Sequence, residues 1–254
     1  MVSTIDNASN GRVEFGIGAG WHYEEYTAYG YPFPPAKVRM KQLAEAVQII
    51  KGLWSNEKAT FSGKYYSIKD AMCNPRPLQK PRPPIWIGGS GNLLISVLVK
   101  HGDGCNFGIG PRLALTPESF KERLSVLEDK CRKIGREPKG IKKSLSAVMV
   151  VEKRQSDVKK AIREAMSEIT RHGSTKRKIR TALDHPGYLL SGIISLVGGK
   201  KPRFMITGTP EECAGQLRKF SELGVELFML YVPNLKRRRY SLELLMDKVA
   251  PALT

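Results

Sequence analysis

Glycine residues form the motif "IGGSGN" at residues 87–92, directly after an apolar segment of the chain. The apolar residues predict a buried strand, and the residues that follow predict a helix. A glycine turn at such a junction exposes backbone N–H groups, and the amino end of the helix adds partial positive charge. We therefore expect an anion site, for a phosphate group, at Gly88, Gly89, Ser90 and Gly91. A plain tight turn is the alternative, because glycine also ends strands.

A second glycine motif, "FGIGAGWH", occupies residues 15–22, where glycines alternate through the end of a strand. It does not match the dinucleotide pattern GxGxxG. Alternating glycines remove the side chains from one face of the strand end, which suits a flat ring or an extended chain lying across it. The binding residues predicted here are Gly18, Ala19, Gly20 and Trp21. An ordinary bulge beside an aromatic cluster is the alternative.

His22 follows this motif and is the histidine that stands beside a glycine loop at a strand end, so it is a candidate catalytic acid or base. The other histidines are His101, His172 and His185. The four histidines contain no pair with metal-ligand spacing, so we expect no metal site. We interpret His101 as structural.

Strand and helix patterns alternate along the whole chain. Strands are predicted at 12–17, 85–89, 104–109, 144–152 and 225–233. Helices are predicted at 34–54, 92–101, 116–135, 156–173, 209–224 and 241–253, with a small hairpin at 59–68. This alternation is typical of an α/β fold with a mainly parallel sheet, either a TIM-type barrel or a doubly wound sheet. Both architectures bind ligands at the carboxyl ends of their strands, where the two glycine motifs and Asn106 lie, so Asn106 is also a predicted binding residue.

The 254 residues carry a net charge of +18, which is unevenly placed. Residues 130–203 contain 20 Lys and Arg against 6 Asp and Glu. Such a field attracts anions, although a generally basic surface explains it equally well. We interpret the basic stretch at about 174–205 as an insertion, because it matches no strand and helix unit.

The four cysteines are scattered, with no CxxC pair, which predicts reduced thiols in a cytoplasmic protein. The longest apolar segment, at 188–199, is too short to span a bilayer, and the first residues lack the pattern of a secretory signal.

Taken in order, several segments resemble the bacterial-luciferase-like oxidoreductases, and most of all the branch that uses the deazaflavin coenzyme F420. The segments are "GRVEFGIGAGWHYEEYTAYGYPFPP", "RMKQLAEAVQIIKGLW", "FSGKYYSIKDAMCNPRPLQKPRPPIWIGGSG", "GDGCN" and "GTPEECAGQLRKFSELGVELFMLYVP". The resemblance covers nearly the whole chain apart from the basic stretch at 174–205.

The resemblance implies a TIM barrel that binds F420, or alternatively FMN, at the carboxyl ends of its strands. It implies that residues 18–21 lie along the cofactor and that residues 88–91 bind its phosphate. Members of the family transfer a hydride between the deazaflavin and an organic substrate, or act as monooxygenases with reduced FMN. The basic segment "KRRR" at 236–239 could then contact the cofactor's acidic tail, or be a solvated loop.

The chain departs from the family pattern, because the first three strands of the family's barrel have no counterpart in it. We therefore expect about strands four to eight of a barrel, in one partial domain over 1–254, with the main catalytic residues elsewhere. Cys105 also stands where a tryptophan is usual. The open edges of such a remainder predict a partner, either a second copy or a complementing N-terminal half.

A different class of function is a catalytically inactive remnant, or half of a split enzyme, that acts as a binding or scaffold protein. The charge of 130–203 could then contact a polyanion with a steep dependence on salt. The sequence lacks the interleaved aromatic and basic residues of a platform for single-stranded nucleic acid. We therefore expect a small-molecule substrate, and neither a membrane nor a nucleic acid as partner.

Overall fold

A computed structural model describes residues 1–89, 91–107, 116–171, 205–233 and 237–253 of the chain. The chain divides into two compact units. The first comprises Met1–Asn106 and Ser125–Lys142, and the second comprises Phe107–Leu124 and Lys143–Thr254.

Three parallel strands form the centre of the first unit, in the order β1-β4-β5. Its elements along the chain are α1 (Val2–Ala8), β1 (Phe15–Ile17), α2 (Tyr23–Ala28), α3 (Ala36–Ser55), β2 (Ala59–Ser62), β3 (Ser67–Ala71), β4 (Ile85–Gly88), α4 (Asn92–His101) and β5 (Gly104–Phe107). The core between the strands and helices α3 and α4 contains Val47, Ile85, Ile87, Ile95 and Leu98, all fully buried. Burial of these aliphatic side chains is the main force that holds the strands under the helices.

Parallel strands also form the centre of the second unit, where β6 pairs with both β7 and β8. Helix α5 (Pro117–Lys133) runs from the second unit into the first. The later elements are β6 (Lys142–Val151), α6 (Gln155–Arg171), β7 (Met205–Gly208), α7 (Pro210–Ser221), β8 (Leu227–Tyr231) and α8 (Arg238–Leu244), followed by a π-helical turn at Leu245–Val249 and a 3₁₀ turn at Pro251–Leu253. One core cluster joins β6, α6 and β7 through Val148, Val150, Ala161, Ala165, Met166 and Met205.

Most predicted elements agree with the described ones, but the last helix, predicted at 241–253, begins earlier at Arg238 and gives way to π and 3₁₀ turns after Leu244. Helix α4 has the predicted bounds, and the predicted hairpin turns between β2 and β3. Thr209 and Glu212 form a reciprocal capping box at the start of α7, as the pattern Thr-Pro-Glu-Glu predicts. None of the described helices is long and apolar enough to cross a bilayer.

Two helices and one strand are additional to the prediction. Helix α1 lacks an apolar face, because the residues it buries are Ser3 and Asp6. The Asp6 carboxylate accepts hydrogen bonds from the backbone N–H and the side-chain amide of Gln79, at 3.0 and 2.7 Å. Helix α2 has only six residues. Strand β7 raises the described parallel strands from the predicted five to six, and apart from Met205 the proposed insertion at 174–205 lies outside the described residues.

Candidate functional site

The structure brings the carboxyl ends of β1, β4 and β5 together in the first unit. A Cβ atom added to Gly18, just after β1, would lie 3.3 Å from the carbonyl oxygen of Gly88. The N–H of Gly89 donates to the carbonyl of Asn106 across 3.0 Å, and Gly88 pairs with Asn106 in the sheet register. Residues predicted from three separate segments are therefore neighbours, and backbone atoms form their contacts.

The turn between β4 and α4 requires glycine at Gly89. Its φ is +129°, and an added Cβ would lie 2.9 Å from Cδ1 of Leu94. Gly91 has ordinary extended dihedrals as the N-cap of α4, and an added Cβ there would meet no atom within 4 Å. Ser90 lies outside the described residues.

The amino end of α4 has the features of an anion site. No side chain of the described residues caps it, and its first turn contains no acidic residue. No described side chain therefore takes up its first N–H groups or its positive dipole end, and this is the arrangement that binds phosphate elsewhere.

The end of β1 turns sharply through Ala19 and Gly20. The carbonyl of Ala19 accepts a hydrogen bond from the Tyr26 hydroxyl at 3.3 Å. Gly20 has a φ of +71°, and an added Cβ would overlap the Tyr26 hydroxyl and lie 2.8 Å from Cε2 of that ring. Trp21 follows with 66% of its surface exposed, so the turn presents a bare backbone beside an accessible indole.

His22 is the N-cap of α2. Its Nδ1 accepts the N–H of Glu25 at 3.2 Å, and its Nε2 lies 3.6 Å from a carboxylate oxygen of Glu24. The imidazole also packs edge-on against Trp21, with ring centres 5.1 Å apart. Since Nδ1 is an acceptor, the neutral ring carries its proton on Nε2, which faces Glu24.

Two of the aromatic residues that support this turn, Tyr26 and Phe33, were not predicted from the sequence. Tyr26 packs edge-on against Phe33 with ring centres 4.9 Å apart, and Tyr23 packs against the same ring at 5.6 Å. Tyr23 and Tyr26 are three residues apart, a spacing that places two side chains on one helical face. That spacing was the available signal, but α2 is too short to show a longer pattern.

Charged groups occupy the opposite, amino ends of β4 and β5. Asp103 accepts two hydrogen bonds from Arg82, at 2.5 and 3.0 Å, and one from the N–H of Ile85 at 2.8 Å. Arg136 donates to the carbonyls of Leu98, Val99 and Gly102 at the end of α4. These contacts neutralise a helix end and fix two strand starts, which is a structural role.

The pKa values at this end follow from burial and charge. Burial alone would raise the pKa of Asp103, but the hydrogen bonds from Arg82 and Ile85 bring it below the ordinary value. Burial lowers the pKa of His101, and the positive charges of Lys51 and Lys100 lower it further. Both effects favour the neutral form of His101.

In the second unit, a carboxylate is buried just beyond the end of β6. Glu152 forms a two-point ion pair with Arg237, with N–O distances of 2.8 and 3.1 Å. Burial raises the pKa of Glu152 even though the charge of Arg237 opposes the change. Within the segment 236–239, Arg237 thus has an internal partner, whereas Arg239 pairs with the exposed Glu243.

A family model described as luciferase-like monooxygenase matches residues 1–227. An F420-dependent glucose-6-phosphate dehydrogenase of Microbacterium testaceum is 36% identical over 137 residues, which is 54% of this chain and 39% of that protein. An FMNH2-dependent dimethylsulfone monooxygenase of Pseudomonas putida is 33% identical over 90 residues, 35% of this chain and 25% of that protein. These alignments thus span well under half the length of either relative.

Solved structures show the same fold. An F420-dependent secondary alcohol dehydrogenase, in complex with an F420–acetone adduct, matches with a TM-score of 0.75 and 21% identity. The match covers 100% of this chain and 73% of that one. The predicted TIM-type α/β class is confirmed.

Proposed function

Because the chain belongs to the luciferase-like monooxygenase family, we propose that it is an F420-dependent oxidoreductase, with FMN as the alternative cofactor. The bound deazaflavin or flavin supplies hydride transfer, and the protein supplies binding, orientation and proton transfer to a small organic substrate. Of the two aligned relatives described above, one is named for F420 and the other for reduced FMN, which supports both members of this pair.

The convergence of three strand ends on an uncapped helix is the observation that carries this proposal. Gly88, Gly89, Ser90 and Gly91 would hold the cofactor's phosphate on the N–H groups of α4. Gly18, Ala19, Gly20 and Trp21 would lie along its chain and ring edge, and Asn106 would hold the turn through its carbonyl. The described residues fit this group, because a Cβ added at Gly91 would meet no described atom within 4 Å and the first turn of α4 contains no carboxylate.

His22 is our candidate for the catalytic acid or base. Its Nε2 carries the proton of the neutral ring beside Glu24, and its ring contacts the exposed Trp21. The support for this role is position, since both rings follow the turn that would lie along the cofactor.

The direct test is a fluorescence titration of the 254-residue protein with F420 and, separately, with FMN, at low and moderate salt. Saturable binding that survives moderate salt supports the proposal, because a built site depends less on long-range charge than a basic surface does. If a folded protein binds neither cofactor, it is an inactive remnant and the scaffold alternative gains support.

Gly91→Asp tests the phosphate site without damaging the fold. Aspartate is a favoured N-cap residue, and Gly91 already has the extended dihedrals and the free space that a side chain needs. We expect unchanged or higher thermal stability and at least about a tenfold loss of cofactor affinity, because the carboxylate takes up the N–H groups. Gly91→Ala is the matched control, which adds a Cβ but no charge. Equal cofactor affinity of Gly91→Asp and the wild type contradicts the phosphate site.

Gly89→Asp is a less informative test of the phosphate site, because any side chain at this position collides with Leu94 and would disturb the turn itself.

We further propose that the protein works with a partner, either a second copy or a complementing N-terminal half. In the first unit, β1 pairs with β4 on one edge, and no other described strand pairs with it. In the second unit, β8 pairs with β6 alone among the described strands, and its Leu227, Met229 and Tyr231 are 38%, 44% and 49% exposed. An open strand edge beside exposed apolar side chains is a site for pairing with another chain.

Sedimentation of the purified protein tests this partnership. A self-associating species, or a chain that melts sharply only with an added N-terminal half, supports it. A monomer with a sharp melt on its own contradicts it.

We place the protein in the cytoplasm. All four cysteines are described and none of them forms a disulfide, and Cys105, Cys131 and Cys213 are buried thiols. Cysteines that form no disulfide support a reducing compartment.

A further inference from the structure

One side chain, that of Tyr26, supports the turn at the end of β1. Tyr26 donates from its hydroxyl to the carbonyl of Ala19, seven residues earlier, at 3.3 Å. The same ring fills the space beneath Gly20, so that an added Cβ would overlap it. One tyrosine thus contacts both residues at the bend of the turn.

The Tyr26 ring is in turn held by Phe33. Their ring centres are 4.9 Å apart and their planes are at 77°, an edge-to-face contact. The backbone carbonyl of Tyr26 also accepts the N–H of Tyr31 at 2.8 Å. The ring and the backbone carbonyl of Tyr26 are therefore both held by contacts, which fixes the position of its hydroxyl relative to α2.

Arg39 connects this aromatic pair to the long helix α3. Its guanidinium carbon lies 4.0 Å from the centre of the Phe33 ring, and its Nη1 donates to the carbonyl of Pro34. Its Nε is buried and makes no hydrogen bond among the described residues, so the ring face is a main contact of this cation. A continuous set of contacts therefore joins the 20-residue helix α3 to the turn.

We propose that Tyr26 is a positioning residue of the cofactor site. Its hydroxyl fixes the Ala19 carbonyl and its ring sets the left-handed bend at Gly20, so the turn keeps the shape on which the cofactor lies. This inference rests on the proposed function, because it assigns a purpose to the turn. A cofactor site needs its supporting residues locked by packing, since a small displacement of a binding group lowers affinity.

Tyr26→Phe is the sharpest test, because it removes the hydroxyl and leaves the ring against Phe33. We expect F420 to bind about 3- to 10-fold more weakly, the loss equivalent to one hydrogen bond, with a melting temperature close to that of the wild type. Tyr26→Leu also removes the ring and should weaken binding further. Tyr29→Phe is the matched control, because Tyr29 is 75% exposed and its side chain makes no hydrogen bond within the part of the chain that the structure describes.

Hydrogen exchange of the unliganded protein provides a readout that needs no cofactor. Amides in peptides covering residues 15–28 should exchange at least about threefold faster in Tyr26→Phe, while those of α4 stay unchanged. Unchanged exchange, or an F420 affinity within twofold of a wild type that does bind, overturns the inference. If the wild type binds neither F420 nor FMN but exchange at the turn still increases in Tyr26→Phe, the positioning contact stands and the proposed function fails.

Discussion

In the first unit, the amino and carboxyl ends of the strands differ in which groups make the contacts. At the amino ends of β4 and β5, side chains make the contacts, with Asp103, Arg82 and Arg136 forming five or more hydrogen bonds to charged and backbone groups. At the carboxyl ends of these strands, glycines remove side chains and backbone atoms make the contact between Gly89 and Asn106. The stabilising chemistry and the proposed phosphate-binding chemistry are therefore at opposite ends of β4 and β5.

This separation has a physical reason. Charged side chains satisfy helix ends and strand starts, but they would also fill the space and compete for the N–H groups that an anionic ligand needs. In barrel enzymes, loops after the strands bind ligands while the opposite face contributes stability. Changes at the amino ends should therefore alter stability alone, and changes at the carboxyl ends should alter binding.

The largest effect on stability is expected from Asp103→Asn. It leaves the Arg82 guanidinium, 13% exposed, without its charge partner, which we expect to cost about 2 kcal/mol of unfolding free energy. Urea denaturation measures the loss, and F420 affinity under native conditions should not change. Asp129→Asn is the control, since its pair with Arg132 is more than half exposed and should contribute under about 0.5 kcal/mol. Equal losses in the two variants contradict the structural role of the amino ends.

A smaller effect on stability, but a larger one on binding, is expected from Gly20→Ala. The residue has a φ of +71° and no room for a Cβ beside Tyr26, so the substitution should cost about 1–2 kcal/mol. The turn must shift, so F420 affinity should fall at least about tenfold. Gly16→Ala in β1 is the control, because an added Cβ meets nothing within 4 Å. A Gly20→Ala protein with normal affinity would show that the turn does not bind the cofactor.

The smallest effect concerns pH. The pKa of His101 is lower in the folded protein than its ordinary value of 6.5, so the unfolded chain binds more protons as the pH falls through that value. The wild type should therefore lose stability between about pH 7 and pH 5, and His101→Gln should lose less. Urea midpoints at the two pH values measure the difference. Parallel pH profiles would mean that burial does not hold His101 neutral.

Local patterns in the sequence determined most of the strand and helix order. Apolar residues three and four apart predict α3, and the Thr-Pro-Glu-Glu pattern predicts the start of α7, because both signals act within one or two helical turns. The glycine motifs at residues 18–20 and 88–91 were also predicted as strand ends without side chains, because a group of glycines after an apolar segment can be recognised in the sequence itself. Helix α1 was missed because it buries Ser3 and Asp6, not an apolar stripe.

The tertiary structure decided which of these residues meet. Gly89 reaches Asn106 because β4 and β5 are neighbours in the sheet, and Asp6 reaches Gln79 across 73 residues of chain. The space beneath Gly20 is filled by Tyr26, whose ring is held by Phe33 and, through it, by Arg39. Such contacts leave no periodic trace, because they depend on packing between elements and not on spacing within one. The sequence by itself determined where the chain lacks side chains, and the fold alone determined what supports those places.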